Sequence, residues 1–436
     1  MTSFAIKTIL GRRVWDSRGR PTVEAELTLN DGSVGRAIAP AGASKGKREA
    51  LELRDGGPRF AGLDVMNAVG HINGEIAAAL LGTPADNQAA LDQTLIDLDG
   101  TSGKTRLGAN ATLAVSMAAA HAMAAASGVP LYRYLGSAQT SLLPMPQIQI
   151  FGGGAHAGRR VDIQDFMVVC PGAPCFAQAL EWTAEVYRHA GLLMAQRGAL
   201  SGVADEGGWW PDFTSNEQAL EMMVRAIEGA GLIPGEQVAI ALDVAASELG
   251  QQGRYRLGLD SRELDTDGLI DLLLGWVAKY PIVSIEDPLA EDDPEGFTRF
   301  TQAIGHRLQI VGDDFLVSDA NLVRQAAAVG AANTVLLKPN QRGTLSETLQ
   351  AWQTAKALGY AGIVSARSGE TEDTTIVDLA IAWNVGQLKV GSFARSERMA
   401  KWNRALRIEE RLGAQARFAG MSAFGRNPAS SRNNAS

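Results

Sequence analysis

The chain has 436 residues, of which 46% are apolar and 20% charged, and its formal net charge is −8 at pH 7. This length allows two domains, and the composition is that of an ordinary globular protein. The negative charge argues against general nucleic-acid binding, and we find no apolar run that would span a bilayer and no signal-peptide pattern. Cys170 and Cys175 are too few for a disulfide framework, so we expect a cytoplasmic protein with no membrane or nucleic-acid partner.

The first predicted elements form an N-terminal α+β domain over residues 1–138. The stretch TVEAELTLNDGSVGRAIAP alternates apolar and polar residues around the turn Asn30-Asp31-Gly32, which predicts a strand meander. Helical patterns follow and end with the alanine-rich stretch NATLAVSMAAAHAMAAASG, typical of a packed helix without a chemical role. Strands followed by helices favour an α+β arrangement.

From residue 139 the sequence repeats short apolar strands, each ending in a polar residue and followed by a helical pattern. Six of these strands are VAIALDVA, PIVSIEDP, LQIVGDDF, NTVLLKPN, GIVSARSG and GQLKVGSF. The polar residues that end the last four are spaced by 25, 29 and 22 residues, which suits parallel strand–helix units of about 30 residues or fewer. We therefore predict a (β/α) barrel over residues 139–425, and a disordered polar tail over residues 426–436.

Acidic residues end three neighbouring predicted strands, namely Asp243, Glu286 and Asp313. In (β/α) barrels, ligands and catalytic residues lie at the carboxyl ends of the strands. Three carboxylates there offer hard oxygen ligands that suit Mg²⁺, with substrate oxygens and water completing the coordination. One such carboxylate would be read as a solvated loop residue, but three at successive strand ends favour a metal site.

Two lysines, Lys338 and Lys389, end strands that face these carboxylates in the predicted barrel. A neighbouring positive charge lowers the pKa of a lysine, because it disfavours the charged form. Lys338 is therefore a candidate base, while Lys389 would stay charged and help to neutralise an anion. The alternative interpretation is that both lysines are ordinary ion-pair partners of the carboxylates.

Three further segments carry candidate acid, base and anion-binding groups. VADEGGWWP places Asp205 and Glu206 before a Gly-Gly turn, and VDIQDFM places Gln164 and Asp165 on an apolar strand. The third segment, APAGASKGKREALELRDG, is a loop of small residues before a helix, and such a loop can close over a phosphate and exclude water. Its polar side chains are those of Ser44, Lys45, Lys47 and Arg48.

Together these segments resemble the enolase family, the phosphopyruvate hydratases of glycolysis, over nearly the whole chain. The motifs that carry the resemblance are GASKG, VDIQDFM, DEGG, ALDVAASE, SIEDPLAEDD, VGDD, SGETEDTTIVDLA and GQLKVGS. The resemblance implies an α/β fold with an enolase-type (β/α)8-like barrel behind the N-terminal α+β domain. It also implies an Mg²⁺-dependent hydro-lyase that acts on a small phosphorylated or phosphonylated hydroxy acid and forms a homodimer or larger homo-oligomer.

The resemblance further implies catalytic roles for four residues. Lys338 corresponds to the base that removes the proton α to the substrate carboxylate, and Glu206 to the general acid that helps the β-hydroxyl leave as water. Lys389 corresponds to the lysine that, with the metal ions, stabilises the dianionic aci-carboxylate intermediate. Asp165 stands where the family has another active-site acid.

Two Mg²⁺ ions per active site are implied as cofactors. Asp243, Glu286 and Asp313 correspond to the ligands of the first ion, and Ser44 in the mobile loop to a ligand of the second, which also touches the phosphate. The residues implied to contact the substrate are His156, Gln164, Glu286, Arg367, Ser368 and Lys389.

Some positions depart from the family pattern. The family has histidine where this chain has Ala366, and glutamate where it has Asp165, which is one methylene shorter. Basic residues are also added near the expected mouth of the site. A bidentate arginine is the expected partner of an extra carboxylate or phosphate, so we expect substrate contacts from these added residues. They are Lys45, Arg159, Arg160 and Arg342.

The direction of these substitutions suggests a substrate that is bulkier and more anionic than 2-phosphoglycerate. Our hypothesis is a carboxyphosphono-glycerate that yields carboxyphosphonoenolpyruvate, as in the enolase relatives of phosphinate antibiotic pathways. One alternative is a glycolytic enolase that tolerates Ala366 and Asp165, although loss of one proton-transfer group typically costs about 10²–10⁴-fold in rate. The other is an inactive binding protein with this fold, which would not need to retain Lys338, Glu206 and Lys389 together.

Overall fold

The computed structural model describes residues 4–198 and 202–425, so the predicted disordered tail over residues 426–436 lies outside the described residues. The strands are β1 (Ile6–Trp15), β2 (Pro21–Leu29), β3 (Val34–Ile38), β4 (Leu142–Leu143), β5 (Met145–Gly152), β6 (Asp165–Val169), β7 (Ala239–Asp243), β8 (Gly250–Gln251), β9 (Arg254–Leu257), β10 (Arg262–Asp265), β11 (Ile282–Glu286), β12 (Gln309–Gly312), β13 (Thr334–Leu337), β14 (Ala361–Ser365), β15 (Gln387–Ser392) and β16 (Arg417–Phe418). The helices are α1 (Met66–His71), α2 (Ala77–Leu80), α3 (Gln88–Asp99), α4 (Ala109–Ala126), α5 (Leu131–Leu135), α6 (Phe176–Gln196), α7 (Asn216–Gly229), α8 (Thr266–Lys279), α9 (Pro294–Ile304), α10 (Ala320–Val329), α11 (Leu345–Ala357), α12 (Thr375–Ala382) and α13 (Ser396–Leu412).

The N-terminal part is an antiparallel meander with helices packed against it. β1, β2 and β3 are hydrogen-bonded in chain order, and the predicted turn Asn30-Asp31-Gly32 joins β2 to β3. Gly32 adopts a φ of 89°, a conformation that glycine adopts without steric cost. The predicted α+β arrangement is confirmed, and we propose a domain boundary at residues 138–139, in the segment between α5 and β4.

Helix α4 is the alanine-rich stretch that the sequence predicted as a packed helix. Among the described residues it is the one helix long and apolar enough to cross a membrane, but 83% of that window is buried inside the protein. Its residues pack against β2 and β3. It is therefore placed as a core helix of the N-terminal domain.

Eight strands close into a barrel in the order β11-β12-β13-β14-β15-β5-β6-β7. All six strands predicted from the repeat are present, as β7, β11, β12, β13, β14 and β15. Two of the helices that follow barrel strands, α9 and α10, begin with side-chain caps, since Asp293 accepts from the backbone N–H of Gly296 and Asp319 from that of Asn321. The predicted enolase-type barrel is thus confirmed.

One strand breaks the simple strand–helix repeat. β6 runs antiparallel to both β5 and β7, whereas every other neighbouring pair in the barrel is parallel. Asp165 is consequently the first residue of its strand, and not the carboxyl end that the sequence reading allowed. Because β6 is reversed, this first residue still lies at the catalytic rim, in register with Asp243 of β7.

The N-terminal domain covers the same rim of the barrel. Ala41 and Gly369 exchange two backbone hydrogen bonds, of 2.9 and 2.8 Å, so the loop after β3 is fixed to the segment after β14. The Ser17 backbone N–H also donates to the Glu370 carbonyl at 2.8 Å. These contacts hold residues 40–48 over the carboxyl ends of the barrel strands.

Candidate active site

Three buried carboxylates converge at the rim of the barrel. Asp243 and Glu286 are the last residues of β7 and β11, and the strand register pairs them directly. Asp313 follows β12 immediately, and Val311 of that strand is in register with Glu286. All three side chains are buried. The structure therefore brings together the three residues that the sequence analysis assigned to the first metal ion.

Lys389 lies among these carboxylates. Its Nζ is 2.8 Å from Asp243 Oδ2, 2.9 Å from each carboxylate oxygen of Glu286, and 3.2 Å from Asp165 Oδ2. Burial lowers the pKa of Lys389, but the charges of Asp243 and Glu286 outweigh it and the pKa is raised well above its ordinary value. Lys389 therefore stays charged, as the sequence analysis expected.

Lys338 contacts Asp313, and its pKa is shifted in the direction opposite to the one we expected. The Nζ of Lys338 donates to Asp313 Oδ2. Burial lowers the pKa of Lys338, and so do the charges of Arg367 and Lys389, but the charges of Asp313 and Glu286 outweigh them and the net shift is upward. The expected lowering by neighbouring cations is wrong for the metal-free protein, because the nearest charge is a carboxylate. Lys338 is free to act as a base only once that carboxylate is engaged elsewhere.

The three carboxylates offer the oxygen donors that a divalent cation prefers. Burial, followed by the Asp243 charge, raises the pKa of Glu286 well above its ordinary value, which shows how strongly the site disfavours several negative charges at once. A cation bound by the three carboxylates would relieve this repulsion, and their hard oxygen atoms suit Mg²⁺. Gln164 adds a polar group, since its Nε2 donates to Asp243 Oδ2 at 3.0 Å.

A second acidic group lies beside the first. Asp287, Asp313 and Asp314 each place one carboxylate oxygen within 4.8 Å of the others, close enough to hold a metal ion. Asp287, however, accepts the backbone N–H groups of Asp313 and Asp314 at 2.8 Å each. We therefore assign Asp287 to fixing the turn after β12, which aims Asp313 into the site.

On the wall of the site across from Lys338, the His156 imidazole lies between the carboxylates of Asp165 and Glu206. His156 Nδ1 lies 3.7 Å from Asp165 Oδ1 and 3.8 Å from Glu206 Oε1. Burial lowers the pKa of His156, but the Glu206 and Asp165 charges outweigh it and the net shift is upward. Within the described residues Nδ1 is buried and has no hydrogen-bond partner.

Asp165 is held in its ionised form. Burial raises its pKa, but Lys389 and His156 lower it further, and the net shift is far downward. The Gln149 amide also donates to Asp165 Oδ1. Because Asp165 begins the reversed strand β6, its carboxylate points toward Lys389 and leaves Glu206 as the second acid beside His156.

Arg367 is a buried cation at the rim of the barrel. Its Nη1 donates to Glu49 Oε2 at 2.9 Å and to Asn340 Oδ1 at 3.1 Å, and its Nη2 donates to the Ser44 carbonyl at 2.8 Å. Burial lowers the pKa of Arg367, but the Glu49 charge outweighs it and the pKa is raised. The hydroxyl oxygen of the neighbouring Ser368 accepts a hydrogen bond from Arg18 Nη1 at 3.3 Å. Arg367 therefore ties the Ser44 loop to the rim and presents a charged, buried guanidinium.

Most of these groups line one small cavity of about 20 Å³, which in this conformation has room for about one water molecule. Most of the predicted catalytic and substrate-binding residues line it, together with the unpredicted Ala43, Ser365 and Val390. Ala366 is also part of the lining, so this departure from the family pattern lies inside the site and not on the surface. The lining residues from the sequence analysis are Ser44, His156, Gln164, Asp165, Glu206, Asp243, Lys338, Ala366, Arg367, Ser368 and Lys389.

The four added basic residues do not line this cavity. Lys45 pairs with Glu52, and its side chain is 44% exposed. Arg159 Nη2 lies 2.6 Å from Glu248 Oε2 in an exposed ion pair. These two contacts use the charges that the sequence analysis assigned to the substrate.

The other two added residues also have protein partners. Arg342 Nη1 lies 2.8 Å from Asp319 Oδ2 at the start of α10. The Arg160 guanidinium carbon lies 4.8 Å from the ring centroid of Trp210. The expectation that these four residues contact the substrate is therefore not met in this conformation, because neighbouring acidic and aromatic residues hold them outside the cavity.

Sequence reasoning missed three residues that orient the site. Glu49 pairs with Arg367, Gln149 bonds Asp165, and the Nε2 of Gln341 donates to Asp313 Oδ1 at 2.8 Å. The alternation in QIQIF was a signal for Gln149, since polar residues at every second position of a barrel strand share one face. Gln341 follows Lys338 by one turn, but Glu49 was hidden in a charged run.

The two cysteines lie outside the site and are thiols. Cys170 is buried, and burial raises its pKa to about 12. Cys175 stands at the start of α6, where its Sγ accepts from the Gln178 backbone N–H. Neither forms a disulfide, as the sequence analysis expected.

Two family descriptions match the chain. Residues 6–135 match "Enolase, N-terminal domain", and residues 140–427 match "Enolase, C-terminal TIM barrel domain". The second match alone spans more than half of the sequence, and together they agree with the observed meander and closed barrel. Such domains indicate a lyase that uses Mg²⁺, and the carboxylate clusters at the rim are suited to the ion. The chain belongs to the enolase family.

Proposed function

We propose that this protein eliminates water from a 2-phosphoglycerate-type acid, with Lys338 as the base and Glu206 as the acid. One observation carries the proposal: base and acid lie on different walls of one cavity. Lys338 follows β13, and Asp165, which begins β6, is four strands away in a closed ring of eight. His156 links that opposite wall to Glu206 at 3.8 Å. A substrate between these walls would lose its α-proton on one side and its β-hydroxyl on the other.

The residues of the chain provide the steps around the substrate. Lys338, once its contact with Asp313 is broken and its ammonium has lost a proton to water, accepts the α-proton at Nζ, and protonated Glu206 donates a proton to the departing hydroxyl. Lys389, fixed between Asp243 and Glu286, is a permanent positive charge beside the place where the substrate carboxylate gains electron density. Arg367 and Ser368 bind the phosphate, while the Ser44 loop excludes water.

Two Mg²⁺ ions complete this proposal. Asp243, Glu286 and Asp313 would hold the first ion, and Ser44, which lines the cavity, would contribute to the second. The ions supply Lewis-acid polarisation of the substrate carboxylate and phosphate. The removal of Mg²⁺ by a chelator is expected to abolish turnover and its return to restore it.

For the substrate we propose a bulkier analogue such as a carboxyphosphono-glycerate, which would give carboxyphosphonoenolpyruvate. Ala366 supports this, because it lines the cavity where the family has a histidine, and a methyl group takes up less of the site than an imidazole ring. The added basic residues support it less, because each already has a partner in the protein. The size of the substrate therefore carries this part of the proposal.

The alternative functions are a glycolytic enolase and an inactive binding protein. The first experiment mixes the protein with Mg²⁺ and 2-phosphoglycerate and follows the ultraviolet absorbance of the enol product. A parallel reaction contains the carboxylated analogue. A higher kcat/KM for the analogue supports our proposal, and equal or faster turnover of 2-phosphoglycerate identifies a glycolytic enolase. Mg²⁺ binding without turnover of either compound favours the binding protein.

Ala366→His tests the substrate assignment within the same assay. The new ring would fill space in the cavity, so we expect the kcat/KM ratio of analogue to 2-phosphoglycerate to fall by about ten-fold or more. Cys170→Ser, which changes a buried side chain outside the cavity, is the control. An unchanged ratio in Ala366→His would contradict the role given to this position.

We also propose a cytoplasmic homodimer or larger homo-oligomer. An apolar surface on the N-terminal domain supports an assembly, since Leu10, Trp15 and Phe60 have exposed fractions of 46%, 50% and 39%. Trp15 and Phe60 pack edge to face at 5.2 Å, with Arg13 over both rings. Light scattering of the wild-type protein and of Trp15→Glu tests this: a monomeric wild type would reject it. The two thiols suit a reducing compartment.

A further inference from the structure

The indole of Trp210 lies against the loop that carries His156. Its Nε1 donates to the Ala157 carbonyl at 2.6 Å, and its ring faces the Arg160 guanidinium at 4.8 Å. We call these two contacts the indole clasp. They connect the segment after Glu206 to the loop over residues 154–160, which carries His156. The segments that carry these two side chains are therefore joined outside the cavity.

The loop is shaped to receive this ring. Gly158 has a φ of 61°, and a Cβ at that position would stand 3.2 Å from Trp210 Cζ2. Arg159 also has a positive φ, of 57°, a conformation that costs free energy for a residue with a side chain. Its ion pair with Glu248 holds the loop from the other side. A backbone in this conformation needs contacts that keep it there.

The segment that presents Trp210 is itself anchored. Trp209 stacks on Tyr187 with ring centroids 4.7 Å apart, and its Nε1 donates to the Tyr187 carbonyl at 2.9 Å. The Trp209 backbone N–H donates to the Ile150 carbonyl of β5 at 2.8 Å. Trp210 is therefore a side chain on a fixed support, against which the loop packs.

The loop places His156 in the site. The His156 carbonyl accepts the Asp205 backbone N–H at 3.2 Å, and its ring lies between Asp165 and Glu206. One residue after His156, the Ala157 carbonyl is the atom that the indole holds. A shift of the loop would thus move the imidazole away from both acids.

We propose that Trp210 is a positioning residue: the indole clasp fixes the loop over residues 154–160 in the closed conformation that sets His156 against Asp165 and Glu206. Trp210 touches no reacting atom and acts through the loop. The kinetic part of this inference rests on the proposed function, whereas the conformational part does not. Arg160, which the sequence analysis assigned to the substrate, serves the clasp as its cation.

Hydrogen–deuterium exchange of the metal-free and Mg²⁺-loaded protein tests the clasp without a substrate. Trp210→Ala removes the donor and the ring, and we expect amides of residues 157–160 to exchange about ten-fold faster or more. Trp210→Phe keeps a ring for Arg160 but loses the indole N–H. The exchange rate at residues 157–160 in this variant should lie between those of the wild type and Trp210→Ala. Arg160→Gln removes only the cation and provides a folded variant if Trp210→Ala does not fold.

A matched control is Trp352→Phe. Trp352 also donates its indole N–H to a backbone carbonyl, that of Trp383 at 2.9 Å, and also has a lysine over its ring, Lys356 at 6.0 Å. It lies on α11, away from the loop. Its substitution should leave exchange at residues 157–160 unchanged. Equal acceleration there by both substitutions would show a general loss of stability and would overturn the proposal.

Steady-state kinetics give the second measurement. A loop that no longer places His156 should lower kcat by about 10²-fold in Trp210→Ala, with a smaller change in KM, and Trp210→Phe should recover part of the loss. Unchanged loop exchange in all three clasp variants would overturn the inference. If the wild type turns over no substrate, the proposed function fails, while the exchange result still decides whether the clasp exists.

Discussion

Lys389 contacts both carboxylate oxygens of Glu286 at the centre of the barrel rim, with its Nζ 2.9 Å from each. Both side chains are buried, and Asp243 is a third partner at 2.8 Å. In the metal-free protein this lysine is the charge that allows Asp243 and Glu286 to lie side by side. Lys389 therefore has a structural role in addition to the role proposed for it toward the substrate.

Lys389→Met should destabilise the metal-free protein strongly. The substitution keeps the length of the side chain but leaves buried carboxylates without their cation, and loss of one partner of a buried pair costs about 3–5 kcal/mol. Mg²⁺ should restore part of the free energy of unfolding, because it binds the same carboxylates. Thermal unfolding with and without Mg²⁺ measures both effects.

Lys279→Met is the control for this experiment, since Lys279 is exposed and pairs with Glu217 at 3.5 Å. Exposed pairs contribute about 0–1 kcal/mol, so this variant should unfold like the wild type. A Lys389→Met protein as stable as the wild type without Mg²⁺ would show that the carboxylates do not depend on the lysine.

Glu49→Gln should tighten the binding of a simple anion at Arg367. Glu49 now accepts from both terminal nitrogens of the guanidinium, at 2.9 and 3.2 Å, and competes with any phosphate for that charge. With a neutral amide there, we expect inorganic phosphate to bind about ten-fold more tightly, as measured by calorimetry. Glu52→Gln, which changes the partner of Lys45 and Arg54, is the control. Equal affinity in Glu49→Gln and wild type would show that Glu49 does not compete.

Asp314 should make the metal-free protein less stable as the pH rises. Burial, then the Asp313 charge, raises the pKa of Asp314 to about 8 in the folded chain, against about 3.9 when unfolded. Above the unfolded pKa the unfolded chain releases a proton that the folded chain keeps. The contribution of Asp314 to the free energy of unfolding is therefore lost between about pH 4 and pH 8. Asp314→Asn should reduce that fall in the free energy of unfolding, measured by urea denaturation at several pH values. A pH profile parallel to that of the wild type would contradict the assignment.

The barrel could be predicted from sequence because its strands and polar strand ends recur at a regular spacing. The reversed strand β6 could not, since an antiparallel strand and a parallel one have the same apolar pattern, and only the hydrogen-bond register distinguishes them. The sequence therefore indicated that Asp165 lies on an apolar strand, whereas only the register shows that it begins this strand at the rim.

Residue identities indicated which charged side chains meet at the rim. They did not indicate which of these charges has the larger effect on the pKa of a given group. Lys338 was expected to have a lowered pKa, because its cationic neighbours were recognised from the motifs. In the fold Asp313 is its direct partner, and that contact decides the direction of the shift. The added basic residues failed for a similar reason, because their partners, such as Glu248 and Asp319, come from distant segments.

Proton exchange at the substrate α-carbon tests the central claim, that Lys338 and Glu206 act separately from two walls. The measurement incubates each variant in D₂O with Mg²⁺ and a phosphoglycerate substrate, and follows both α-deuteration and enol formation. Glu206→Gln should still exchange the α-proton while water loss falls by about 10²–10⁴-fold, and Lys338→Ala should do neither. Exchange in Lys338→Ala at the wild-type rate would show that another group is the base and would contradict the account.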